Sequence, residues 1–219
     1  MRLNRENVDA MDKSPSEDRP RKGRPAISAE RRADMRLQIS DAAGRLFHAE
    51  GYGKVSMRRI AAEVGCSPMT LYKYYDAKID ILRSLWAEVF ADLFEGLDAI
   101  ESSDHEPPDH LLDLSVAYVE YWLKHPDRYR LVFMADGVEQ PDVTLFLDAP
   151  NIVARYGIFA KSIKSASPEP MDSNTLKLAL DTLVCSLHGI AHNHVTISGH
   201  DWPAPRRMLA LTIEGILTL

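Results

Sequence analysis

The chain has 219 residues, 45% of them hydrophobic and 26% charged, with a formal net charge of -6. That is enough to bury a core unaided, and two cysteines, Cys66 and Cys185, cannot form a disulfide framework. No apolar run approaches a membrane span and no export signal is evident, so neither a membrane-spanning helix nor export is expected, and a cytoplasmic setting is.

The charge is split. Residues 19–78 hold 13 Lys and Arg against 6 Asp and Glu, a net +7. Residues 81–219 hold 10 against 20, a net -10. A basic front on an acidic body predicts a polyanion partner for the first part and a different task for the second.

Residues 1–25 are polar and aperiodic, and read as an arm that is disordered until bound. The arm ends in the basic cluster Arg19-Pro20-Arg21-Lys22-Gly23-Arg24-Pro25. From Ser28 the pattern turns helical. Met35, Ile39, Ala42, Ala43, Leu46 and Phe47 share one face, with Ser28 as N-cap and Gly51 as stop. A short second helix is capped by Ser56, buries Met57, Ile60, Ala61 and Val64, and ends at Gly65. Ser67-Pro68 then opens a third helix, because proline at the first helical position gives up an N–H that has no partner there.

With Leu71 and Tyr75 turned inward, the third helix presents Pro68, Met69, Thr70, Tyr72, Lys73 and Tyr74 outward. A merely solvated face would carry Glu, Lys and Gln. This one has no acid and mixes hydroxyls, a cation and an exposed methionine. Thr70 and Tyr72 can hydrogen-bond base edges or phosphates, and the methyls of Met69 and Thr70 can meet a thymine methyl in a major groove.

A long fourth helix runs from about Ala77 to Ile100, its apolar positions stepping by three and four from Ile79 to Leu97. Helices then follow over 109–124, 127–136, 141–165 (interrupted near Pro150), 172–198 and 205–218. No alternating strand is seen. The expectation is an all-α fold of about nine to ten helices: an arm (1–25), a three-helix head (26–80), and a larger helical body (81–219).

The segment Val55 to Lys78 resembles the helix-turn-helix of the TetR family of bacterial transcriptional regulators. The resemblance rests on Ser56, Ile60, Ala61, Gly65, Ser67, Thr70, Leu71, Tyr72, Tyr74 and Lys78, with Leu82 beyond. Tyr75 stands where Phe is usual and Cys66 where Val is usual. The resemblance implies that Ser56 and Lys78 meet phosphates and that Arg58 reaches a phosphate or a base. It also implies that Ser67, Pro68, Met69, Thr70, Tyr72, Lys73 and Tyr74 form the reading surface. Lys22-Gly23-Arg24-Pro25 is similar to the Arg-Gly-Arg-Pro core of AT-hook peptides, so Arg21, Lys22, Gly23 and Arg24 are expected to enter an A·T-rich minor groove.

In the body, Tyr121 to Phe133, with His188-Gly189 later, is similar to one class of C-terminal domain in this family. The resemblance implies a ligand-binding and dimerising body. The last two helices are apolar on several faces, which predicts burial against a second copy through Leu183, Leu187, Ile190, His194, Leu211 and Gly215. Trp122, Tyr129, Phe133, Tyr156, Phe159 and His188 are the candidates for a pocket that suits an apolar molecule.

His188 and His192 share metal-ligand spacing but lack acidic or thiol ligands in register apart from Cys185, so no metal is expected. Nor is a cofactor or a catalytic residue, since no Gly-rich loop, nucleophile elbow or zinc signature occurs. The functional expectation is a repressor that binds a palindromic operator in double-stranded DNA as a homodimer on the nucleoid, released by an unidentified small-molecule effector and independent of membranes. The alternative is an architectural DNA-binding protein without ligand control.

Overall fold

The first three helix starts each carry a serine cap that explains them. In the computed structural model, which describes residues 28–101, 106–138 and 150–218, helix α1 spans Ala29–Glu50, and Ser28 accepts the Arg31 N–H at 3.3 Å. Gly51, at φ +85°, ends it, and a 3-10 turn follows at Tyr52–Lys54. Helix α2 (Met57–Val64) is capped by Ser56 and closed by Gly65 in the left-handed region at φ +75°, a conformation that disfavours any residue with a Cβ. Helix α3 is only Pro68–Leu71, capped by Ser67, and continues as turns through Tyr75.

Helix α4 (Lys78–Glu101) links head to body. Helices α5 (Pro107–Lys124), α6 (Pro126–Phe133), α7 (Pro150–Ala166), α8 (Ser173–Thr196) and α9 (Pro205–Leu217) complete the described elements. These are nine α-helices among the described residues, and no strand occurs among them. The all-α expectation holds. The expected helix over 127–136 is shorter, and 139–149 and the arm (Arg21, Lys22, Gly23, Arg24) lie outside the described residues.

Helix α5 is the axis of the body and touches α4, α6, α7, α8 and α9. One apolar core runs from Ile39 in the head to Ile216 in the last helix, with Trp86, Tyr118, Trp122 and Phe159 fully buried. Trp86 fixes α4 to α6 by donating its indole N–H to the Leu131 carbonyl at 3.0 Å.

The core also revises the expected interface. Leu183 and Leu187 are 0% exposed and Ile190 6% within a single chain, so these three face α5 and its neighbours rather than a second copy. The periodicity was sound, but it marked the inner face. The outer face of α8 carries Leu178, Thr182, Cys185 and Gly189, and that of α9 carries Ala210, Leu211 and Gly215, with Leu211 73% exposed. His194 is half-buried and hydrogen-bonded to the Ile190 carbonyl.

Candidate nucleic-acid interface

The reading surface is built by two inward residues. Leu71, fully buried, and Tyr75, 4% exposed, pin α3 and its exit turn to the head's core. Pro68, Met69, Tyr72 and Lys73 turn outward around them. Met69 is 72% exposed and Tyr72 49%, and Pro68 and Lys73 are exposed. An exposed methionine beside an exposed tyrosine is an apolar surface that folding alone leaves uncovered. Ser67 does two jobs: its hydroxyl accepts the Thr70 N–H at 3.1 Å and pairs with the Thr70 hydroxyl at 2.9 Å, which holds the Thr70 side chain against the cap. Tyr74 is half-buried and packs against the core, so only its edge belongs to the surface.

On α2, adjacent arginines diverge. Arg59 is held by Glu50 at 3.1 Å and Glu63 at 2.9 Å. Arg58 is exposed and has no ion pair or hydrogen bond among the described residues, as is also true of Lys73. These two are the uncommitted cations nearest the reading surface in sequence. Ser56 is exposed at the start of α2, where its hydroxyl accepts the Arg59 N–H at 3.2 Å.

Lys78 departs from the phosphate role expected of it. Its ammonium donates to the Tyr52 carbonyl at 2.6 Å and the Val55 carbonyl at 2.9 Å, and lies 3.9 Å from the centre of the Tyr52 ring. Burial pushes its pKa down. The first residue of α4 thereby grips the chain just ahead of the Ser56 cap, so it sets where α2 begins relative to α4.

The six pocket candidates in the body do converge, but ring to ring. Trp122 packs 5.3 Å from Phe133 and 5.7 Å from Tyr129, and Phe133 lies 4.9 Å from His188, all centroid to centroid. Tyr156 and Phe159 close the other side, 6.3 Å apart. Sequence reasoning missed the hub, Tyr118, whose hydroxyl lies 2.9 Å from the Tyr156 hydroxyl and 3.0 Å from His188 Nε2. The signal was available: Tyr118 stands four residues before Trp122, on the same face of one helix.

Burial lowers the His188 pKa to about 4 and raises that of Tyr156 to about 12. His188 is therefore neutral at pH 7, and the Tyr118 hydroxyl can donate to its Nε2. The Trp122 indole N–H is buried and has no well-formed hydrogen bond among the described residues, although it leans on the Tyr118 hydroxyl. Among the described residues no group of three or more His, Cys, Asp or Glu could hold a metal ion, and no helix is long and apolar enough to cross a membrane.

Beside this cluster, Arg128 ties α6 to α4, the helix that leads to the head. Arg128 of α6 donates to Asp92 of α4, and to the Tyr121 hydroxyl of α5 at 2.6 Å. The Asp92 carboxyl is held below its ordinary range by that guanidinium.

This geometry has counterparts in known proteins. The chain is 27% identical over 147 residues to the uncharacterized HTH-type transcriptional regulator Rv0681 of Mycobacterium tuberculosis, a match that spans 64% of this chain and 67% of that protein. It is 34% identical over 92 residues to the HTH-type transcriptional repressor DrrR1 of Streptomyces coeruleorubidus, spanning 42% of this chain and 27% of that protein. In fold it is similar to a TetR-like transcriptional regulator from Rhodococcus sp. RHA1, with a TM-score of 0.63, 19% identity, and coverage of 88% of this chain and 99% of that one. Residues 39–85, which span α2, α3 and the flanking parts of α1 and α4, match the model for bacterial regulatory proteins, tetR family. Residues 39–85 therefore carry a helix-turn-helix head of the kind found in bacterial regulatory proteins of the tetR family.

Proposed function

We propose that this chain is a cytoplasmic repressor that binds a palindromic operator as a homodimer on the nucleoid and leaves it when a small, mainly apolar effector binds. The observation that carries the reading is the exposed Met69 and Tyr72 on a rigidly capped α3, flanked by the uncommitted Arg58 and Lys73. Cations position such a surface on phosphates, and the short reading helix supplies the base contacts.

Dimerisation is supported by the outer faces of α8 and α9. Gly189 and Gly215 sit at helix positions where an added Cβ would meet no atom within 4 Å. Glycine there weakens a helix by about 1 kcal/mol relative to alanine. Close approach by a second copy, with Leu211 and Leu178 flanking, is the physical reason to keep it. Two-fold pairing would set two reading helices on successive major grooves.

The effector reading rests on the aromatic cluster. Its Trp122 N–H, with only a weak hold on Tyr118, suits a ligand that brings a hydrogen-bond acceptor into an aromatic surround. Because the rings are in contact, an effector has to part them, and the short helix α6, which buries only Tyr129 and Val132, is the body helix with least invested in the core. Motion of α6 would pass through Arg128 and Asp92 to α4, and through Lys78 to the start of α2. A coupling of about 1–3 kcal/mol is the usual size of such an effect. Repression follows from occupancy: a promoter-bound dimer blocks polymerase without further contacts. Selection of binding sites from random DNA with the purified chain tests the reading. Enrichment of a palindrome with two half-sites supports it, and enrichment without symmetry overturns it.

A further inference from the structure

A second place in the molecule is shaped to hold a ligand, away from the aromatic cluster. A cavity of about 530 Å³ opens between the C-terminal end of α1 in the head and α6 with its exit loop in the body. The volume lies within the range that accommodates a small organic molecule. The floor is apolar: Phe47 and Tyr52 stack edge-on at 5.1 Å, and Leu131 and Met134 face them, Met134 being 42% exposed.

The charges around it are mostly committed. Arg128 is held by Asp92 and Tyr121, and Arg130 lies 3.4 Å from Asp127, which also has His48 at 3.8 Å. Arg45 is different. It lines the cavity from α1, is exposed, and has no ion pair or hydrogen bond among the described residues. On the opposite rim Asp136 is exposed, which disfavours a ligand with a second negative charge.

We propose that this junction cavity binds an apolar molecule with a single anionic end, its ring or chain on Phe47, Tyr52 and Leu131 and its acid group on Arg45. The site lies beside a contact with no slack. A Cβ built on Gly137, at φ +80°, would lie 3.2 Å from Gly53 Cα, and one on Gly53 would lie 3.3 Å from the Asp136 carbonyl oxygen. The head's 3-10 turn thus rests backbone to backbone on the loop that follows α6. A molecule wedged between α1 and α6 next to that contact favours the head–body arrangement that fits it. This site goes beyond the effector reading above, because it involves none of the cluster's residues.

The test is a fluorescence titration of the full chain with anilinonaphthalene sulfonate, an aromatic ring system with one sulfonate. Saturable binding is expected. Arg45→Ala should weaken it about tenfold, the effect of losing one charge-assisted hydrogen bond. Arg45→Lys should retain most of the affinity, and Ala135→Trp should abolish binding by filling the space. Because Arg45 is exposed, R45A decides the matter even if A135W folds poorly, and thermal unfolding verifies both. No saturable binding, or equal binding by wild type and R45A, overturns the proposal. The readout uses no DNA, so it stands or falls separately from the operator reading.

Discussion

The Tyr75 hydroxyl lies 3.0 Å from Ser40 Oγ, and both residues are buried. Ser84 completes a triangle at 3.2 Å from each, and itself donates to the Ile81 carbonyl. Three helical segments, α1, the exit of α3 and α4, thus meet at three hydroxyls. This explains how the chain accommodates Tyr where the motif it resembles usually has Phe: the added oxygen arrives in a site that already offers partners.

Tyr75→Phe should therefore be mild. Ser40 and Ser84 still bond each other, so about 1 kcal/mol is lost rather than a full desolvation penalty. The expected drop in Tm is about 2–4 °C. Tyr75→Ala opens a cavity and should cost about 3–5 kcal/mol. Thermal unfolding of the two variants separates packing from hydrogen bonding, and equal losses would assign the whole role to the hydroxyl.

Acid sensitivity should trace to His188. Its folded pKa is depressed to about 4 from an ordinary 6.5 by burial. The unfolded chain then binds a proton at this site that the folded chain refuses. Stability is fully present above pH 6.5 and is lost as the pH falls toward 4, by at most about 3 kcal/mol. Urea unfolding at pH 7.5 and pH 5 measures the loss. His188→Gln keeps a partner for the Tyr118 hydroxyl but cannot titrate, so it should flatten that part of the profile.

Lys78 and Arg58 should separate by the kind of damage each causes. Lys78→Met removes the donor from two carbonyls beside the Ser56 cap. Stability and DNA affinity should both fall, with the salt dependence of binding unchanged. Arg58→Ala touches nothing in the fold. It should leave Tm alone and reduce the slope of log affinity against log salt by about one, as expected for one phosphate contact. A reduced slope for Lys78→Met instead would return that lysine to the phosphates.

These cases show what was legible in the residues. The caps Ser28, Ser56, Ser67 and the stops Gly51 and Gly65 act locally, over three or four residues, so sequence spacing alone places them. The outward set on α3 was legible for the same reason. Lys78 was not, because its partners lie 23 and 26 residues away and depend on how α4 docks. The spacing from Trp122 marks the face on which Tyr118 lies, but not its partners on α7 and α8, which only the bundle brings together. An apolar stripe on α8 could be read, but not which neighbour it would face.

That last distinction makes the dimer testable. Leu187 is enclosed within one chain, whereas Leu211 is 73% exposed on α9 and Gly215 lies one turn further along the same outer face. Leu187→Glu places a charge in the core and should unfold the protein outright. Leu211→Glu should leave helicity and Tm of the protomer nearly intact, since most of this side chain is exposed. If α8 and α9 pair with a second copy, it should halve the mass seen by light scattering and abolish binding to a two-half-site operator while sparing weak, non-specific binding. Gly215→Leu should act the same way through bulk alone, which rules out charge repulsion as the sole cause. A full-mass dimer in both variants would move the interface away from these two helices.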